Sequence, residues 1–172
     1  DLPCGDFNWM PHVELPADFE YVGADVVSSL IHGHRRNYTH SDKFNFLTRD
    51  MAMTPPHKAF DLIFSRDSIQ HLSNTDLYPI FHNFKASGSK YVMITFQSLE
   101  IEGLTSAVTG GMRMYNLLRS PFNFPPPLEL VRDNPPTPTQ HDGEQKTMGL
   151  WRLQDLNLES LRQAHLQLTG NA

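Results

Sequence analysis

Short apolar runs alternate with polar, helix-spaced stretches along this chain, and the alternation predicts a succession of strands and helices. Asn8 can cap a short helix starting at Trp9, with Pro11 tolerated in its first turn. Residues 20–25 (EYVGAD) carry Tyr21, Val22 and Ala24 and end on an acid, which is the pattern of a buried strand with a carboxylate at its C-terminal end. The next dozen residues set Val27, Leu30 and Ile31 at helical spacing. Residues 44–47 (FNFL) predict a second strand, and the paired Pro55 and Pro56 predict a loop after it. Residues 60–65 (FDLIFS) give the clearest strand signal, followed by a short helical turn to His71. Ser73 and Asp76 then resemble a capping box ahead of Leu77, Ile80, Phe81 and Phe84, which share one helical face. Asp76 as N-cap would keep Pro79 in the first turn, and Ser87-Gly88 would end the helix. Residues 91–96 (YVMITF) are apolar throughout, as in a strand covered on both faces.

From Gln97 to Pro127 the rhythm breaks into a long Gly-, Asn- and Pro-rich connection with Tyr115, Phe122 and Phe124 spaced along it. Its aromatic content argues for a packed, specificity-bearing loop over the substrate side. Residues 128–132 (LELVR) and 146–153 (KTMGLWRL) predict a terminal antiparallel hairpin, separated by a polar, proline-containing loop at 134–145. The leucines of the tail predict a helix. The fold class is therefore α/β: a mostly parallel sheet with helices on both faces and an antiparallel hairpin at its end. Residues 1–153 form one domain and residues 154–172 a helical tail.

Composition narrows the function. Net charge is −5, which argues against a nucleic-acid partner. No apolar run approaches the roughly 18 residues of a membrane span, and the first residues lack the basic start and apolar stretch of a secretory leader. Cys4 is the sole cysteine, so no internal disulfide forms, in keeping with a reducing, cytoplasmic compartment. The chain opens without Met and inside what reads as a motif, so it is expected to be an N-terminally truncated fragment whose first strand precedes Asp1. Nothing in the sequence fixes the oligomeric state.

In an open α/β sheet, ligands bind beyond the C-terminal ends of the strands. The residues predicted there are Asp1, Pro3, Cys4, Gly5, Asp6 and Phe7, then Asp25, Asp50, Met51, Ser65, Arg66, Asp67 and Gln97. Asp25, about 20 residues past the glycine turn, is placed to accept from both hydroxyls of a ribose. Asp50 is placed to accept from an adenine amino group. A dinucleotide would need several glycines around its pyrophosphate; here only Gly5 remains, and Asp6 would repel the phosphates by about 4 kcal/mol at 4 Å and an effective dielectric of about 20. S-adenosylmethionine has no phosphate and carries two positive groups, which Asp1, Asp6 and Asp67 suit. Histidines 32, 34 and 40 lack the carboxylate or cysteine company of a metal site, and none is expected.

These residues also carry a family likeness. Asp1-Leu2-Pro3-Cys4-Gly5, Asp25, Asp50, the stretch from Phe60 to Leu72, Gly88-Ser89-Lys90-Tyr91 and the terminal hairpin together resemble the class I, Rossmann-like S-adenosylmethionine-dependent methyltransferases. Pro3 and Phe7 depart from that family's glycine loop. The resemblance implies S-adenosylmethionine as cofactor and methyl transfer to a small-molecule or peptide acceptor. His71 is then the candidate base, with Asp67 four residues earlier on the same helical face to orient it. Arg113, Tyr115 and Asn116 are expected on the acceptor side, and Arg66, Arg113 and Arg119 hint at an anionic acceptor group. The alternative is a non-catalytic relative that keeps the fold as a binding or scaffold domain.

Overall fold

The structure is a computed structural model, and it describes residues 1–97, 109–133 and 146–170. The polar loop expected at 134–145 lies outside the described residues. Among the described residues six strands follow the predicted order: β1 (Tyr21–Asp25), β2 (Phe44–Thr48), β3 (Leu62–Ser65), β4 (Tyr91–Gln97), β5 (Glu129–Arg132) and β6 (Lys146–Arg152). Three α-helices accompany them among the described residues: α1 (Ser28–Asn37), α2 (Asn74–Ala86) and α3 (Glu159–Thr169).

Two sheets result. β1 and β2 pair in parallel, and a second sheet has the order β3-β4-β6-β5. β3 and β4 are parallel, whereas β6 runs antiparallel to both of its neighbours. The hairpin therefore does not add an antiparallel edge, as its sequence suggests. The antiparallel strand β6 is inserted inside the sheet, and β5 at the edge runs the same way as β4. Seven residue pairs join β4 to β6, so Trp151 and Met148 are buried with the core while Leu130 and Val131 of β5 stay exposed. Trp151 lies across Gly149, where a Cβ would come within 2.2 Å of its ring, so glycine is required there.

β1 and β3 do not pair with each other. Asp1 and Leu2 lie between them: Asp1 N donates to Val22 O, Ala24 N to Asp1 O, and Leu2 N to Phe64 O. The break between the sheets lies beside Leu2. On the N-terminal side of Leu2 it forms a cavity of about 340 Å³, lined mostly by apolar groups of Trp9, Tyr21, Val22, Leu62 and Phe64.

Helix α2 starts one turn earlier than expected, with Ser73 as its N-cap residue, and this puts Pro79 inside the helix. A proline there removes the N–H that would bond Thr75 O. The carbonyl is not left bare, because His165 Nδ1 of α3 donates to it at 3.0 Å. Ser73 and Asp76 do not form the reciprocal capping box; Ser73 Oγ donates to the Asp76 carboxylate instead. The α2 face of Leu77, Ile80, Phe81 and Phe84 is fully buried, as its spacing predicts. Each such side chain contributes about 1.5–3 kcal/mol through burial.

Candidate functional site

The glycine turn is built from below. Phe7 has φ 58°, a left-handed conformation that is costly for an aromatic residue. Its ring offsets that cost by packing against Tyr21, Tyr38, Phe44 and Phe46, with centroids 4.9–5.2 Å away and edge-to-face to three of them. Phe7 thus faces the core under β1 and β2, not the ligand side. His34 of α1, also buried, places Nε2 2.8 Å from Gly5 O and pins the turn. A sequence reading that weighed His34 only as a metal ligand misses this; its position one turn past the buried Ile31 on the same helical face is the available signal. Among the described residues no group of three His, Cys, Asp or Glu side chains converges as a metal site.

Asp25 closes the same turn from β1. Its carboxylate accepts from Gly5 N at 3.1 Å and from Val27 N at 2.9 Å. Both partners are backbone groups, so each oxygen keeps a lone pair for a further donor. The residue is 6% exposed, whereas Gly5 fronts open space, where an added Cβ would meet nothing within 4 Å. Asp6 is exposed and holds Asn8. Cys4 is buried, and burial first, then the Asp25 charge, push its thiol up to about 11, so it is no nucleophile. Pro3 is half-buried at the base of the turn. Asp1 is not gathered here: its carboxylate accepts from Tyr21 OH at 2.6 Å, toward the opposite end of β1. Asp50 lies exposed beyond β2 with Oδ1 on Ala52 N, and Met51 beside it is buried.

After β3 the chain turns sharply. Ser65 is buried and its hydroxyl meets Ser68. Asp67, at φ 52°, is fixed through its N–H to Thr95 Oγ1. The turn from Ile69 to His71 is a 3-10 turn, so Asp67 and His71 do not share an α-helical face. The Asp67 carboxylate instead accepts from Gln70 Nε2 and from Lys146 Nζ. Arg66 Nε pairs with Asp133 at 2.7 Å, and Lys146 bridges to Asp133 at 3.1 Å, so four charges form one network. Burial alone would raise the Asp67 carboxyl. The hydrogen bonds from Lys146 and Gln70, with the charges of Lys146 and Arg66, outweigh it and hold the group below the usual carboxylate range. Asp133, just past β5, and Lys146, at the start of β6, could not be paired with the β3 turn from sequence.

His71 is exposed, and its orienting partner is a carbonyl: Nδ1 lies 2.9 Å from Gly111 O. A carbonyl only accepts, so Nδ1 carries the proton, and Nε2 is the ring nitrogen left to accept one. The segment that supplies Gly111 continues over the ends of β3 and β4. Tyr115 is fully buried, with its hydroxyl on Thr95 O and its N–H on Gln97 Oε1. Asn116 is buried and caps Leu118 N. Tyr115 and Asn116, expected on the acceptor side, are thus packed inward. Arg113 is also buried, with its backbone on Gln70 O.

No protein-family model and no curated protein matches this chain. Solved structures do. TehB from Haemophilus influenzae superposes with a TM-score of 0.53 at 16% identity, over 78% of this chain and 50% of its own. The N-methyltransferase NodS from Bradyrhizobium japonicum WM9, in complex with S-adenosyl-l-homocysteine, gives 0.52 at 12% identity, over 77% and 66%. OxaC in complex with SAH and oxaline gives 0.57 at 11% identity, over 87% and 41%. This chain spans half the length of TehB and less than half of OxaC. No described helix is long and apolar enough to cross a membrane. With the parallel β1–β2 and β3–β4 pairs and the inserted antiparallel β6, the chain has the Rossmann-like fold of the class I S-adenosylmethionine-dependent methyltransferases.

Proposed function

We propose that this chain is the methyl-transferring domain of an S-adenosylmethionine-dependent enzyme acting on a small-molecule or peptide acceptor. The observation that carries the reading is Asp25. It stands at the C-terminal end of β1, 20 residues past Gly5, and is bonded only to backbone N–H groups beside the open face of the turn. A carboxylate held this way suits the paired hydroxyls of a ribose and the positive charges of the ligand. Asp6 and Asp50, both exposed, add negative charge on the same rim.

S-adenosylmethionine supplies an electrophilic methyl on a sulfonium. The chain's task is then to bind, orient and exclude water. Gly5 and Asp25 would hold the nucleoside part, and Asp50 the base. Asp67 is engaged with Lys146 and Gln70 and serves to shape the rim. His71 Nε2 would take the proton of an acceptor that must lose one, oriented by Gly111 O in the role first given to Asp67. S-adenosyl-l-homocysteine bound to NodS supports the cofactor class by analogy of fold.

Calorimetric titration of S-adenosylmethionine, with NAD as control, tests the reading. One-site binding of S-adenosylmethionine alone is expected. A folded protein that binds neither ligand would favour the scaffold alternative.

A further inference from the structure

Three arginines belong to the segments around the rim, and their surroundings differ. Arg66 is paired with Asp133 and lies 5.6 Å from the Trp9 ring. Arg119 has interactions of its own. Arg113 is 4% exposed, yet forms no ion pair among the described residues. Its Nη2 donates to Ile69 O at 3.3 Å, while Nε and Nη1 are buried without a hydrogen-bond partner. Asp76 acts on it only through space, and the Oδ2 of that carboxylate accepts from the hydroxyls of Ser73 and Thr109. Gln70, whose backbone carbonyl accepts from Arg113 N, also has a buried, unpartnered Oε1, although its Nε2 donates to Asp67.

A buried guanidinium short of counter-charge and hydrogen bonds destabilises a fold. Such a group persists where a ligand completes it. The local charge decides which ligand. Among the described residues Lys146 and Arg66 are neutralised by Asp67 and Asp133, which leaves the single positive charge of Arg113. That matches a monoanion better than a phosphate dianion. The position is also apt, because Gly111, which orients His71, is two residues from Arg113.

We propose that Arg113 is the specificity-determining residue for an acceptor that bears a carboxylate, whose oxygens accept from the unpartnered guanidinium nitrogens. Gln70 Oε1 accepts an N–H or O–H of the same ligand. Access requires residues 110–113 to lift from the turn below. The bonds broken on entry, and remade over the bound acceptor so that Gly111 O again orients His71, are Gly110 N to His71 O, His71 Nδ1 to Gly111 O and Arg113 N to Gln70 O. The inference deepens the methyltransferase reading and rests on it for the reaction, but anion binding can be measured without catalysis.

The test is NMR of the arginine Nε–H groups in the 172-residue chain, titrated with benzoate and, as a neutral control, benzamide. The Arg113 signal is assigned by its loss in Arg113→Lys. A saturable shift of that signal with benzoate and none with benzamide is expected. Gln70→Glu, which adds a negative charge on the residue that holds the Arg113 backbone, should weaken benzoate at least tenfold while the fold is kept; it also serves if Arg113→Lys does not fold. No shift, equal shifts with both probes, or unchanged benzoate affinity in Gln70→Glu would overturn the assignment, as a site completed only by buried water predicts. S-adenosylmethionine is titrated into the same sample. Binding of the cofactor without a benzoate response removes the carboxylate site alone. A benzoate response without cofactor binding keeps the site and removes the methyl-transfer reading.

Discussion

Asp25 ends one parallel strand and Asp67 lies just beyond another, and the structure treats the two acids differently. Asp25 follows the glycine turn and is held only by the N–H groups of Gly5 and Val27. Asp67 follows β3 and is held by Lys146 and Gln70, inside a network with Arg66 and Asp133. Backbone donors fix a carboxylate without cancelling its charge, which stays available to a cationic or hydroxyl-bearing ligand. A lysine fixes it and cancels the charge, which turns the acid into a structural tie. An acid at a strand end is thus a ligand group or a fastening according to what faces it across the sheet, not according to its place in a motif.

The largest effect should come from the support beneath the first region. Phe7→Ala removes a fully packed ring and should cost about 3–5 kcal/mol in urea denaturation. Phe7→Gly should cost about 1 kcal/mol less, because glycine relieves the φ of 58°. Equal losses in the two variants would show that the backbone conformation stores no strain. Next is the ligand contrast itself. Asp25→Asn should weaken S-adenosylmethionine at least tenfold, about 1.4 kcal/mol, in calorimetry. Asp67→Asn should change it less than twofold. Equal losses would break the distinction between the two acids.

The strands were legible because each is a short apolar run with its own punctuation, and all six lie within two residues of their expected bounds. The acid of β1 was legible for the same reason: its spacing from Gly5 is local. What escaped was set by partners far along the chain. The start of α2 could not be read because His165, 90 residues away, satisfies the carbonyl that Pro79 abandons. The fastening of Asp67 depends on Lys146, 79 residues on, which reaches it only because β6 is inserted next to β4. A hairpin's sequence does not say which of its strands enters the sheet. Phe7 looked like a ligand residue because it sits in the loop, but the aromatic cluster that claims it comes from β1, α1 and β2 together.

Removing the lysine should sharpen the contrast at lower energy. Lys146→Met leaves Asp133 with Arg66, and Asp67 with Gln70. The cost should be about 1–2 kcal/mol, below that of a fully buried pair because the Asp67 side chain is 38% exposed. The double variant Lys146→Met with Asp67→Asn should recover part of that loss, since it no longer leaves a carboxylate without its cation. S-adenosylmethionine affinity should be unchanged in both. A tenfold loss of affinity in either would return Asp67 to the binding site.

The smallest effect is in pH. Asp67 is held below the usual carboxylate range in the folded state, since the bonds from Lys146 and Gln70 outweigh burial. As pH falls, the unfolded chain therefore takes up this proton first, near the ordinary aspartate value of about 3.9. The stability that Asp67 contributes is fully present above that value and is lost as pH falls through the folded one. It should amount to less than about 1 kcal/mol, because solvent screens the pair. Urea denaturation between pH 7 and pH 3 should show wild type beginning to lose this increment below about pH 4, and Asp67→Asn lacking it at every pH. Lys146→Met should show a flatter acid dependence, because the partner that lowers the carboxyl is gone. An acid dependence as steep in Lys146→Met as in wild type would mean that the tie is not what distinguishes Asp67 from Asp25.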